Sequence, residues 1–368
     1  MIYKEVLKGT LSLRTIPRIA SNLYHSYRSL PTTGLPFKLQ FENTNICNLK
    51  CTMCPQMDMK RPQGRLTFEK FKYVYDQIKP PYLNLTGIGE PFLNADIYKI
   101  VEYARKNKTF VKMDTNATLL DNDRIEKILK ADPNIISVSI DGMTKETFEA
   151  IRQGAKFETV INNLKELVVA RNKRKSKTQI HMFMVVQENN LEQLPDFVKF
   201  GLEIGIDSIS GTHVKDIGYQ EITWKGIEKA KEERIRNLYN NLKQLNKDKK
   251  VKLDSFIHYL EELLEGKENP GIEAPCFWPW YSVFLNWDGD ITPCCFSSEK
   301  QVVFGNAFKE PFMKIWNNEK AQKFRKALTT KREGICGTCG NEEFYVYDKF
   351  KLISKIPFMK KLSVRNYM

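Results

Sequence analysis

Three cysteines in one short stretch, Cys47-Asn-Leu-Lys-Cys51-Thr-Met-Cys54, constrain this chain more than any other feature. Deprotonated thiols are soft metal ligands, and C-x3-C-x2-C spacing groups three of them on one loop. No histidine or fourth cysteine stands nearby. A structural zinc site takes four protein ligands, whereas a [4Fe–4S] cube held by three thiolates keeps one iron open. The spacing therefore favours an open iron–sulfur site, with a zinc knuckle completed by a distant ligand as the alternative. The other five cysteines, Cys276, Cys294, Cys295, Cys336 and Cys339, lie far downstream, with none between Cys54 and Cys276. Ligand-like spacings in a chain of 368 residues argue for metal over disulfides.

The sequence around the first group alternates between strand and helix patterns. Strands are expected at 39–42, 82–87, 109–115, 135–140, 179–186 and 208–214. Helices are expected at 67–78, 97–106, 123–130, 146–151, 160–172 and 191–204. Six βα repeats predict an α/β fold, a partial (β/α)6 barrel around a parallel sheet, with a small C-terminal auxiliary-cluster domain. Expected boundaries are a basic amphipathic segment at 1–36, the barrel at 37–223, a charged helical bridge at 224–270, the cysteine-rich domain at 271–345 and a basic tail at 346–368.

Charge is concentrated at the ends. The net charge is +14, of which residues 1–40 and 348–368 carry +5 each. A nearly balanced middle argues against a nucleic-acid groove, and no nucleic acid is expected as a partner. No uncharged apolar run is long enough to cross a membrane, and the N-terminus lacks a signal-peptide core, so the chain reads as cytoplasmic. Ile16, Ile19, Ala20, Leu23, Tyr24 and Tyr27 form one apolar face of a helix after Thr15, with Arg14, Arg18 and Arg28 beside it. That segment and the basic tail either pack on the body or lie peripherally on an anionic membrane surface.

In parallel α/β folds ligands bind at the carboxyl ends of strands. The cysteine loop follows strand one. Strand two ends in Gly87-Ile88-Gly89-Glu90, where glycines permit close approach and Glu90 offers an acceptor for an amine. Strand three ends near Asn116, strand four at Ser139 and Asp141, and Arg152 follows as a clamp for a carboxylate. Further on, Asp288-Gly289 between apolar runs signals a hairpin that folds Cys294 back toward Cys276, and Cys336-Gly-Thr-Cys339 adds two ligands on a turn. Four such thiolates suit a closed zinc site and a fully ligated cube equally well.

Taken together, Cys47–Cys54, Gly87–Glu90 and the Ser139, Asp141, Arg152 set resemble the radical S-adenosylmethionine (SAM) superfamily over roughly residues 37–215. The resemblance implies that Cys47, Cys51 and Cys54 hold a cube whose open iron binds the methionine moiety of SAM. It further implies that Gly87, Gly89, Glu90, Asn116, Ser139, Asp141 and Arg152 contact SAM, with Met53 beside the adenine, where the family more often has an aromatic residue. The late cysteines resemble the SPASM/twitch extension of that superfamily. This implies an auxiliary [4Fe–4S] cluster on Cys276, Cys294, Cys336 and Cys339, and so two cubes in all. An external one-electron reductant such as flavodoxin or ferredoxin is implied as a partner.

The expected activity is that of an oxidoreductase. SAM is cleaved to a 5′-deoxyadenosyl radical, a substrate hydrogen is abstracted, and an electron passes to the auxiliary cube. The substrate is read as a sugar, cyclitol or other small molecule. Cys295 is the spare thiol if Cys294 is the ligand, because neighbours on a strand point to opposite faces. As a catalytic hydrogen-atom donor it would favour the alternatives, a redox-neutral epimerase or a peptide-modifying maturase. From another class, the chain could be a non-catalytic iron–sulfur carrier or a zinc-binding structural protein.

Overall fold

Short strands with alternating side chains, each returned by a helix with one apolar stripe, build a parallel sheet. The computed structural model describes residues 15–27, 34–213, 232–248, 278–328 and 334–337, with 253, 260, 261, 264 and 276 besides. The first half runs α1 (Ile16–Tyr27), β1 (Lys38–Phe41), β2 (Lys50–Cys51), α2 (Phe68–Ile78), β3 (Tyr82–Leu85), α3 (Ile97–Lys106), β4 (Phe110–Thr115), α4 (Asn122–Ala131), β5 (Ile135–Ser139), α5 (Lys145–Ile151) and β6 (Arg152–Gln153). There follow α6 (Phe157–Lys173), β7 (Gln179–Val186), α7 (Leu194–Ile204), β8 (Ser208–His213), α8 (Glu232–Leu245), α9 (Trp278–Tyr281), β9 (Ser282–Leu285), β10 (Asp290–Thr292), β11 (Gly305–Asn306), α10 (Phe312–Trp316) and α11 (Glu319–Leu328).

The six expected strands pair in parallel in the order β1-β3-β4-β5-β7-β8, which is the partial (β/α)6 barrel. Helix ends follow local chemistry. Thr67 caps α2 by accepting from the Lys70 amide, and Asp121 caps α4 by accepting from that of Arg124. On α2, Phe71, Val74, Tyr75 and Ile78 fall at helical spacing and are buried against the sheet. The second strand stops at Leu85, two residues earlier than expected, because Gly87 turns under the Glu42 side chain. The expected helix at 191–204 opens as a single 3-10 turn before Pro195 starts α7 proper.

Two features were not foreseen. Strand β2 pairs antiparallel with β6, setting Cys51 opposite Arg152. Strand β9 lies parallel to β1 from Lys38↔Ser282 to Phe41↔Leu285, so the cysteine-rich region extends the barrel sheet to nine strands. The expected hairpin is present: β9 and β10 pair antiparallel across Gly289, whose φ of 94° favours glycine.

Helix α1 closes the amino-terminal end of the barrel. Ile19 packs on Phe37, Tyr82, Phe110 and Ile135, while Ile16 and Tyr24 of the same helix stay exposed. Arg18 donates to the carbonyls of Leu35 (3.1 Å), Pro36 (2.5 Å), Ile78 (3.1 Å) and Lys79 (3.0 Å). Its charge is thus engaged by the body, and burial draws its pKa down to about 10. The basic tail expected at 346–368 lies outside the described residues, as does most of the expected bridge. Among the described residues no helix is long and apolar enough to cross a membrane.

Arg18→Ala leaves four carbonyls without their donor. The expected loss is about 2 kcal/mol, read as a lower urea midpoint at unchanged slope.

Candidate active site at the mouth of the barrel

Strand β1 runs parallel to both neighbours, so the cysteine loop that follows it lies at the carboxyl ends of the barrel strands. Within the loop the Cys54 amide donates to the Cys51 carbonyl (3.0 Å) and the Leu49 amide to Cys47 Sγ (3.5 Å). Asn116 Nδ2, from the end of β4, reaches the same sulfur at 3.9 Å. Cys51 is buried, Cys47 and Cys54 are half-buried, and none is in a disulfide. Burial raises all three thiol pKa values, that of Cys51 to about 12, and the Arg152 cation opposes the rise at each. As bare thiols they stay protonated, so a bound metal must displace the protons.

The residues fit a cube. Arg152 Nε is buried with no hydrogen-bond acceptor among the described residues, which leaves a donor and a positive charge beside the thiols. A four-iron cube holds its thiolates farther apart than a single ion does, and three are enough when one iron takes an outside ligand.

The expected SAM-facing residues divide into two sets. Arg152 Nη2 pairs with Asp141 Oδ2 at 2.7 Å, their side chains 8% and 0% exposed, which leaves Nε as the buried donor without an acceptor among the described residues. Asp141 Oδ1 also accepts from the Val185 amide (2.7 Å), tying β5 to β7 rather than reaching toward a ligand. Glu90 accepts from Thr115 Oγ1 (2.7 Å), the Asn116 amide (2.8 Å) and the Phe92 amide (3.3 Å), and is 2% exposed. Three of its lone-pair positions are thus engaged by the fold, two on Oε1 and one on Oε2. The Gly87–Gly89 turn beside it is half-buried. A Cβ at Gly89 would stand 2.4 Å from the Thr44 carbonyl, and one at Gly87 2.5 Å from Glu42 Cγ, so both positions require glycine. Ser139 and Met53 are half-buried, the former at the carboxyl end of β5.

Two charged groups escaped the sequence reading. Arg61 binds Glu42 through both terminal nitrogens (2.6 and 2.5 Å) and Glu299 through Nε (3.1 Å). The signal available was Glu42 itself, a charge following directly on a strand buried throughout. Lys112 pairs with Asp114, which also accepts from Thr86 Oγ1. Burial disfavours the Asp114 carboxylate, but Lys112 and Thr86 together hold its pKa below the ordinary range. Alternation along β4 was the signal there, since Lys112 and Asp114 share one face.

Of the late cysteines, Cys276, Cys294, Cys295 and Cys336 are half-buried and Cys339 lies outside the described residues. Cys295 is not on a strand: β10 ends at Thr292, Cys294 is extended, and Cys295 opens a 3-10 turn. The strand-based argument for opposite faces therefore does not apply to this pair.

A three-thiol loop thus follows the first strand of a parallel partial barrel, and a cysteine-rich hairpin extends the same sheet. Residues 42–201 match the family model of the Radical SAM superfamily, and residues 276–340 match SPASM, an iron–sulfur cluster-binding domain. The chain belongs to the radical SAM superfamily and carries a C-terminal SPASM domain. It is 26% identical over 311 residues to the mycofactocin maturase MftC of Mycobacterium tuberculosis, covering 83% of this chain and 76% of that one. It is 28% identical over 325 residues to the AdoMet-dependent heme synthase of Methanosarcina barkeri, covering 83% and 89%. In fold it is similar to Streptococcus suis SuiB bound to the precursor peptide SuiA, with a TM-score of 0.65, 17% identity, and 91% and 77% covered.

Burial lifts the Glu90 pKa from 4.5 to about 6. An acid with a raised folded pKa binds its proton more tightly in the folded state, so stability is highest below the unfolded value and falls as pH rises through about 6. The expected fall from this group is about 2 kcal/mol. Urea midpoints measured from pH 4 to 7 should show that decline in the wild type and a flatter profile in Glu90→Gln.

Proposed function

We propose that this radical SAM enzyme modifies a peptide. The carrying observation is the three-thiol loop set at the carboxyl ends of the strands, with the Lys112–Asp114 pair and Thr86 at neighbouring strand ends. The sugar or cyclitol substrate expected from the sequence gives way, because MftC is a maturase by name and SuiB has a precursor peptide bound. These support a peptide better than a small polyol.

On this reading Cys47, Cys51 and Cys54 hold the cube, and Asn116 and the Leu49 amide donate toward the Cys47 sulfur. The chemistry supplied by a bound cube and SAM is reductive cleavage of the sulfonium, which yields a hydrogen-abstracting radical. The Gly87–Gly89 backbone and the Ser139 hydroxyl bind SAM, while the Asp141–Arg152 pair fixes the loop from below. Lys112 and Asp114, paired with each other, make this part of the strand ends polar toward a peptide. Cys276, Cys294, Cys336 and Cys339 would hold an auxiliary cube, which supplies an electron acceptor for net oxidation; a redox-neutral reaction would instead take a hydrogen atom from Cys295. Reducing equivalents come from a flavodoxin or ferredoxin.

A second reading, porphyrin modification, is favoured by the 28% identity to the heme synthase across 89% of that protein. Anaerobic reconstitution should give about eight irons, falling to about four in Cys336→Ala/Cys339→Ala, with an EPR signal shifted by SAM in both. Release of 5′-deoxyadenosine in step with a mass change in a synthetic peptide library supports the peptide reading. Turnover with porphyrin carboxylates alone transfers the assignment to the second. Four irons in both proteins, with zinc in the wild type only, removes the auxiliary cube.

A further inference from the structure

One buried arginine joins the two cysteine regions. Glu42 follows β1 and stands five positions before Cys47, Arg61 follows Cys54 by seven, and Glu299 follows Cys295 by four. The side chains of Arg61, Glu42 and Glu299 are only 4%, 0% and 9% exposed. Glu299 also accepts from the Lys60 amide (3.1 Å), and Glu42 from the amides of Ile88 and Trp287 (3.4 Å each). The contact is close over the same span: a Cβ on Gly64 would lie 2.3 Å from the Trp287 ring.

Simple attachment does not account for this arrangement. The β1–β9 pairing already fuses the two regions in one sheet. Desolvating three charges offsets most of what their attraction returns, so a buried triad adds little stability over apolar residues of the same shape. It does add direction, because a planar guanidinium engages two carboxylates in only one orientation.

We infer that Arg61 is a positioning residue that sets the register of the 47–54 loop against the Cys294–Cys295 turn, through Glu42 on one side and Glu299 on the other. The inference rests on the reading that both cysteine regions carry cubes. Its structural half is tested without them. In cluster-free protein, hydrogen exchange of 60–65 and 296–302 should rise together in Arg61→Met/Glu42→Gln, a variant that removes the Glu42 charge along with its cation, and in the milder Glu299→Gln. Arg61→Lys should restore protection only in part. In reconstituted protein, iron content and the SAM-shifted EPR signal should stay as in the wild type. The magnetic interaction between the two reduced cubes should change, and 5′-deoxyadenosine released per modified peptide should rise about tenfold.

Exchange that rises in only one segment overturns the inference. So does an unchanged cube–cube interaction and an unchanged product ratio in a variant that merely melts earlier. If Arg61→Met/Glu42→Gln does not fold, Glu299→Gln alone decides by the same criteria. A wild type that releases no 5′-deoxyadenosine defeats the proposed function instead, and the exchange result still decides the role of Arg61.

Discussion

Strand β1 is hydrogen-bonded in parallel on both edges, to β3 on one side and β9 on the other, and the site depends on that double pairing. A strand held on both sides cannot slip by one residue without turning Leu39 and Phe41 out of the core, where both are fully buried. The cysteine loop, which starts six residues after Phe41, therefore begins from a fixed point. The neighbours contribute what stands around it: β3 leads to the Gly87–Glu90 turn, β4 to Asn116, and β9 to the hairpin that bears Trp287. Catalytic geometry here is a consequence of sheet register.

Around that point the fold buries charge freely. Glu42 with Arg61, Asp141 with Arg152, Glu90 under three donors, and Lys112 with Asp114 all crowd the carboxyl ends of the strands. Each has a specific partner, as a low-dielectric site requires, while Arg152 Nε keeps a donor without an acceptor among the described residues. Such groups make poor adhesives but good fixtures. They leave the mouth of the barrel polar and preorganised.

The fold was legible because its signals are periodic. Apolar alternation and helical stripes marked all six barrel strands, and Asp288-Gly289 marked the hairpin. The three-cysteine loop was legible because ligand spacing is local. Pairings between distant short segments were not. A two-residue strand such as β2 has no period to detect, so the apposition of Cys51 and Arg152 could not be read. Nor could the parallel addition of β9 to β1, since nothing in Ser282–Leu285 distinguishes a domain's own strand from one lent to a neighbour. The sequence singled out Arg152 and Glu90 but not the partners the fold gives them, Asp141 for the one and Thr115 and the Asn116 and Phe92 amides for the other. Sequence reveals the charge at a strand end and leaves open whether the fold or a ligand answers it.

The position of β9 also bears on how the protein is made. Synthesis runs from the N-terminus, so the cysteine loop leaves the ribosome long before the residues that secure it. Arg152 emerges about a hundred residues later and the β9 edge more than two hundred. Until then β1 presents an open hydrogen-bonding edge in the middle of the eventual sheet, the kind of edge that invites pairing with another chain. Metal delivered early would meet thiols without their cation, and metal delivered late would meet a closed sheet.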